Sequence, residues 1–80
     1  MTVNEWQRLF SNRIESLMRD NNMSQYRLAK TTGIPPSRLN EYIKMKTMPS
    51  IFAVINLAYI FDVSVESLID FDERIEQRRM

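Results

Sequence analysis

Residues 24–43, SQYRLAKTTGIPPSRLNEYI, decide how this chain folds. Ser24 is a residue type that caps helix N-termini, and Gly33 can adopt the positive φ that ends a helix in a sharp turn. The two prolines after the turn are acceptable in a first helical turn, where no intrahelical N–H is needed. The stretch therefore predicts a short helix over residues 25–32, a turn, and a second short helix over about residues 35–44.

Two short helices that cross closely need a small residue at the crossing and apolar anchors that seat the second helix on a core. Ala29 is the small residue, and Ile34 and Leu39 are the anchors. This spacing is typical of a helix-turn-helix.

The rest of the chain is also predicted to be helical. A first helix over about residues 4–20 carries one apolar stripe with helical spacing, and a fourth, over about residues 51–61, is apolar nearly all round. Such a helix is central to the core or partly covered by a second subunit. Ser64 starts a short fifth helix, and a mixed-charge tail follows over residues 72–80. We therefore predict an all-α fold of five helices. The members of the first stripe are Trp6, Leu9, Phe10, Arg13, Ile14, Leu17 and Met18.

The charge is distributed unevenly, although the net charge of the chain is only +1. Residues 24–48 contain five Lys or Arg and one Glu, a local charge of +4, whereas residues 49–80 carry −3 and residues 1–23 carry zero. A basic segment of this kind is the footprint of a polyanion-binding surface. A solvated face with a chance cluster of charge is the alternative interpretation.

The composition excludes several classes of function. A length of 80 residues predicts one small domain, and the absence of Cys and His removes disulfides, thiolate zinc sites and Ser-His or Cys-His nucleophile pairs. We therefore expect no enzyme, no metal site and no cofactor. The longest apolar stretch, Ile51 to Phe61, is too short to span a bilayer, and the N-terminal residues lack the features of a signal peptide. We expect a cytoplasmic protein.

Residues 24–69, with part of the helix before them, resemble the lambda-repressor-like helix-turn-helix domain of the Cro/XRE type, which is found in phage and bacterial regulators. The resemblance covers about residues 8–70. It implies a compact all-α domain over residues 1–71 whose third helix enters the major groove of double-stranded DNA. The matching residues are Ser24-Gln25, Leu28-Ala29, Gly33-Ile34, Ser37, Leu39, Pro49-Ser50, Leu57-Ala58, Val63-Ser64-Val65 and Leu68.

The resemblance also implies roles for individual residues. The implied base contacts are made by Pro36, Ser37, Arg38, Asn40 and Glu41. The implied phosphate contacts are made by Gln25, Arg27, Tyr42, Lys44 and Lys46, although for Tyr42 packing in the core or at its rim is an equal alternative. The chemistry is suitable, because Arg binds guanine, Asn binds adenine and Glu accepts from cytosine. Contacts from Lys and Gln to phosphates fix the register without reading sequence.

Two features depart from the family pattern. Pro35-Pro36 replace polar residues at the start of the third helix, so readout depends more on the residues that follow or on apolar contact with a thymine methyl. Lys44-Met45-Lys46 stand where many relatives have a glycine. Either the helix ends differently or a non-glycine residue adopts a conformation that is costly for it.

The sequence thus predicts a sequence-specific transcriptional regulator, most simply a phage or bacterial repressor. One recognition helix covers only a few base pairs, so we expect a homodimer on a two-fold related operator. The alternatives are an antitoxin or restriction controller of the same fold with a protein partner, and a helical interaction module that does not bind DNA. The predicted dimer surface consists of Phe52, Tyr59, Ile69, Phe71 and Ile75.

Overall fold

The computed structural model of the chain describes residues 1–69, and all of its regular secondary structure there is helical. The helices are α1 (Val3–Asp20), α2 (Gln25–Thr32), α3 (Pro36–Ile43), α4 (Ile51–Phe61) and α5 (Val65–Ile69). The predicted fold class is confirmed, and the bounds of α2 and α4 match the sequence prediction. The tail over residues 72–80, with Phe71 and Ile75, lies outside the described residues.

Four of the helices begin at a hydroxyl side chain that accepts a hydrogen bond from the backbone N–H three residues later. These side chains are Thr2, Ser24, Ser50 and Ser64, each 3.1 Å from its donor nitrogen. The bond satisfies one of the N–H groups that a helix start leaves without a partner. The exception is α3, which has Pro35 at its N-cap and begins with a second proline, a residue that has no N–H to satisfy.

Four helices end at a residue in the left-handed region, and only one of these residues is a glycine. Gly33 ends α2 with φ of 78°, whereas Asn22, Met45 and Asp62 have φ of 50°, 64° and 56°. After α3 the N–H of Lys46 bonds to the carbonyl of Glu41 and that of Met45 to Tyr42, the two bonds of a Schellman motif. Of the two alternatives at the end of α3, the left-handed methionine is the one observed.

Each helix contributes one fully buried side chain to a single core. These side chains are Phe10, Leu28, Leu39, Leu57 and Leu68, all at most 1% exposed. Arg13, the polar member of the predicted α1 stripe, is exposed, whereas the apolar members of that stripe are buried or half-buried. The core therefore joins all five helices, and α3 can present only the side opposite Leu39 to solvent.

Polar contacts fix the ends of the domain. The indole Nε1 of Trp6 donates to the carbonyl of Ile69 at 3.0 Å, which ties α1 to α5, and the Trp6 ring stacks on Phe10 with centroids 5.0 Å apart. The side-chain amide of Asn56 donates to the carbonyl of Thr32 at 2.7 Å and so joins α4 to the C-terminus of α2. This bond holds α4 beside the turn that leads into α3.

Candidate nucleic-acid interface

The helix-turn-helix is built from α2, the turn at Gly33 and α3. The buried residues Leu28 and Ala29 of α2 and Leu39 of α3 lie in the common core, and the two helices pack directly on each other. Ile34, between the helices, is also buried. The small residue Ala29 and the anchors Ile34 and Leu39 are thus buried, as the sequence predicted, and the opposite side of α3 faces solvent.

The outward face of α3 is centred on three exposed side chains one helical turn apart. Ser37, Glu41 and Lys44 have i, i+4, i+7 spacing, so they lie in one row along the helix. Pro36 and Arg38 are exposed on either side of this row, and Asn40 is half-buried. The structure thus brings the five predicted base-contacting residues onto the solvent side of one short helix or to its edge.

Glu41 occupies the middle of the row, and a residue of the loop after α3 donates a hydrogen bond to it. The hydroxyl of Thr47 lies 3.4 Å from a Glu41 carboxylate oxygen and donates to it. Among the described residues Glu41 makes no ion pair with Arg38, the partner that would have neutralised it. The carboxylate is therefore an acceptor at the centre of the exposed face, where it can receive a hydrogen bond from an exocyclic amine.

Arg38 lies on the side of α3 that faces α4. It lines a shallow open hollow of about 180 Å³ together with Gly33, Ser50, Phe52 and Asn56. Arg38 therefore flanks the row of Ser37 and Glu41, and its long side chain can extend from that flank in the direction of a ligand on the outward face.

The predicted phosphate-binding residues lie at the two ends of the motif. Gln25, half-buried, and Arg27, exposed, are in the first turn of α2, and Lys44 and Lys46 are exposed where α3 ends. Positive charge therefore borders the α3 face at the loop end and again at the α2 end.

Tyr42 differs from the other members of this set: of its two predicted alternatives, a phosphate contact and packing in the core, the structure shows the packing. Its side chain is only 5% exposed and packs in the core beside Leu39 and Ile34. On an eight-residue helix with a wide apolar side, a tyrosine next to the anchors is buried with them. The other predicted phosphate contacts, Gln25, Arg27, Lys44 and Lys46, stay predictions.

The predicted dimer residues that the structure describes are exposed. Phe52, Tyr59 and Ile69 expose 73, 82 and 37% of their surface. Sequence reasoning missed two further exposed isoleucines on α4, Ile51 and Ile55. Because α4 is apolar nearly all round, no polar residue marked its outer side, so the sequence had no signal that could assign them to the surface.

Two other kinds of feature, a metal site and a membrane span, are absent from the part of the chain that the structure describes. No cluster of acidic, His or Cys side chains there could hold a metal ion. Over the same residues, no helix combines the length and apolar character that a membrane span requires.

A short helix, a glycine turn and a second helix with a polar exposed face define a helix-turn-helix DNA-binding domain. The family comparison agrees: the helix-turn-helix model of the Cro/C1 type matches residues 14–68, from α1 to α5, and the chain belongs to this family. The protein therefore belongs to the general class of DNA-binding regulators. No curated protein and no solved structure shows significant similarity to the chain.

Proposed function

We propose that this protein is a sequence-specific transcriptional repressor of phage or bacterial origin that inserts α3 into the DNA major groove. The observation that carries the proposal is the exposed row of Ser37, Glu41 and Lys44, which lies in the segment of +4 local charge. Polar groups that read base edges and basic groups that bind phosphates are thereby combined on one short helix and its flanks. Occupation of a promoter by such a domain would block transcription.

The base contacts divide by chemistry. Glu41 accepts from the N4 amine of cytosine, Arg38 donates to guanine from the flank, and Ser37 and Asn40 supply adaptable polar contacts. Pro36 has no side-chain donor and offers an apolar surface to a thymine methyl. The carboxylate of Glu41 also repels phosphates, so it lowers affinity for any site at which it finds no amine.

The phosphate contacts set the position of the domain. Gln25 and Arg27 bind the backbone from the start of α2, and Lys44 and Lys46 bind it from the loop after α3. These contacts supply most of the affinity for non-specific DNA and make binding sensitive to salt.

Two copies bind one operator in this proposal. The eight residues of α3 extend about 12 Å, which is enough to read only a few base pairs. A homodimer on a two-fold related site doubles the sequence that is read and sets the spacing of the half-sites at about one helical turn of DNA. We further propose that residues 1–71 form the working unit, and that the protein acts in the cytoplasm without catalysing a reaction.

Selection of binding sites from random duplex DNA tests the proposal. We expect enrichment of a two-fold related sequence, and a fluorescence-anisotropy titration on that sequence should show tighter binding than on scrambled DNA at the same salt concentration. Recovery of no sequence, together with no salt-sensitive binding to bulk duplex DNA at low ionic strength, would refute DNA binding and leave a protein-interaction module.

A further inference from the structure

The outer side of α4 is an apolar surface that no other part of residues 1–69 covers. Ile51, Phe52, Ile55 and Tyr59 share this side of the helix and expose 68, 73, 49 and 82% of their surface; we call them the α4 stripe. The other side of α4 fills the core through Ala53, Val54, Leu57, Ala58 and Phe61. Soluble monomers rarely expose large contiguous apolar patches, and such patches mark interaction sites.

We propose that the α4 stripe is the surface through which two copies of this chain associate, with the two α4 helices antiparallel about a two-fold axis at Ile55. The inference rests on the proposed function in one respect, since the proposed two-fold operator requires two copies to bind side by side. The α4 stripe shares Phe52 and Tyr59 with the predicted dimer surface and adds the two isoleucines.

The charge pattern favours a second copy as the occupant. None of the eleven residues of α4 is charged. A face that binds a different, charged partner would carry charged residues complementary to it. An uncharged apolar face is instead complementary to a second copy of itself. Two copies can therefore meet along α4 with neither like-charge repulsion nor a buried unpaired charge.

The exposed area is sufficient for association but not for a permanent dimer. Phe52 and Tyr59 alone expose roughly 300 Å² in each chain. With the two isoleucines, apposition of two stripes removes on the order of 1,000 Å² from water, which is near the lower bound of specific interfaces. The dimer should thus form as the concentration rises, and a two-fold DNA site that binds both copies should promote it.

The spacing of the stripe sets the register. In a two-fold contact the residue on the axis meets its own copy, and residues equally spaced on either side exchange partners. Ile51 and Tyr59 are each about 6 Å along the helix from Ile55. Centring the axis on Ile55 therefore places Ile51 of one copy against Tyr59 of the other and covers the whole stripe. Antiparallel helices also oppose their dipoles favourably.

Sedimentation velocity of the full chain over a wide concentration range tests the surface. The parent should shift from monomer to dimer, and Ile55→Glu, which places two carboxylates face to face on the axis, should raise the dissociation constant by roughly 100-fold or more. Val3→Glu is the matched control, because Val3 is 63% exposed on α1 and should leave the equilibrium unchanged. Should Ile55→Glu lose helicity by circular dichroism, Tyr59→Gln gives the same test at a side chain outside the core.

A pair of charges tests the register. Ile51→Lys and Tyr59→Glu should each weaken the dimer, and the two together in one chain should restore it, because the opposite charges meet across the axis. Within one chain the two positions are about 12 Å apart and cannot pair. In a parallel arrangement each charge would face the same charge on the other copy. A double variant whose dimer dissociation constant is as high as that of the weaker-binding single variant therefore overturns the antiparallel register.

Binding of each variant to bulk duplex DNA, measured in parallel at low salt, separates the two proposals. A parent that stays monomeric at every concentration, or an Ile55→Glu variant that dimerises like the parent, overturns the α4 surface while DNA binding stands. A parent that dimerises through α4 but shows no salt-sensitive DNA binding supports the surface and refutes the proposed function.

Discussion

The side-chain hydroxyl of Ser11 donates a hydrogen bond to the backbone carbonyl of Ile43, with the oxygens 2.5 Å apart. Ser11 is the one buried polar residue in the described core, and the carbonyl belongs to the last residue of α3, where helix carbonyls lack intrahelical partners. The bond therefore fixes the end of α3 against α1, just before Lys44 and Lys46 leave the helix.

Ser11→Ala should lower the free energy of unfolding by about 1–2 kcal/mol, because it leaves a part-buried carbonyl without its donor. Urea denaturation followed by circular dichroism measures the change. Ser16→Ala is the matched control: the half-buried Ser16 is also in α1 but makes no side-chain hydrogen bond in the described structure. Equal effects of the two substitutions would show that the bond to Ile43 contributes nothing.

Met45→Gly should stabilise the protein by about 0.5–1 kcal/mol. A left-handed non-glycine residue costs roughly 1–2 kcal/mol, and its relief exceeds the entropy that the extra glycine gives to the unfolded chain. Thermal or urea unfolding provides the measurement. Met48→Gly is the control, because Met48 has no positive φ and should lose about 0.5–1 kcal/mol. If Met45→Gly destabilises the chain as much as Met48→Gly, the relief of strain at Met45 does not outweigh the loss of its half-buried side chain.

Local signals account for what could be predicted from the sequence. The caps Ser24 and Ser50 and the turn at Gly33 act on neighbouring backbone groups, so the bounds of α2 and α4 follow from a few residues. The same holds for Leu39, whose place beside a glycine turn and a basic segment indicated the core side of α3.

Tertiary packing decided what the sequence left open. Ser11 is buried only because the end of α3 passes over it, and Tyr42 is buried because its ring completes the apolar side of a short helix. Which side of α4 faces outward depends on where α2 and α5 pack, since that helix is apolar nearly all round. None of these outcomes has a signature in local sequence.

Glu41→Gln should raise affinity for non-specific DNA and reduce discrimination at one base position by on the order of 1–3 kcal/mol. The substitution removes a negative charge that faces phosphates and replaces an obligate acceptor with a group that also donates. Anisotropy titrations against the selected operator and its single-base variants measure both effects. Glu66→Gln, on α5, makes the same change of charge elsewhere and should leave discrimination intact; unchanged discrimination in Glu41→Gln would remove that residue from base readout.

Lys44→Ala should weaken binding to all DNA sequences by a similar factor and make the slope of log K against log salt shallower by about one unit. Lys44 is exposed at the C-cap of α3, where a point charge can bind a phosphate but is not fixed in the geometry that base reading requires. Titrations at several salt concentrations, on operator and on scrambled duplex, give the slope and the sequence dependence together. Arg8→Ala is the control, because it removes one exposed positive charge on α1 that is not among the predicted phosphate contacts, and should leave the slope almost unchanged. A slope for Lys44→Ala equal to that of the parent would mean that no phosphate contact, and no counterion release, depends on this residue.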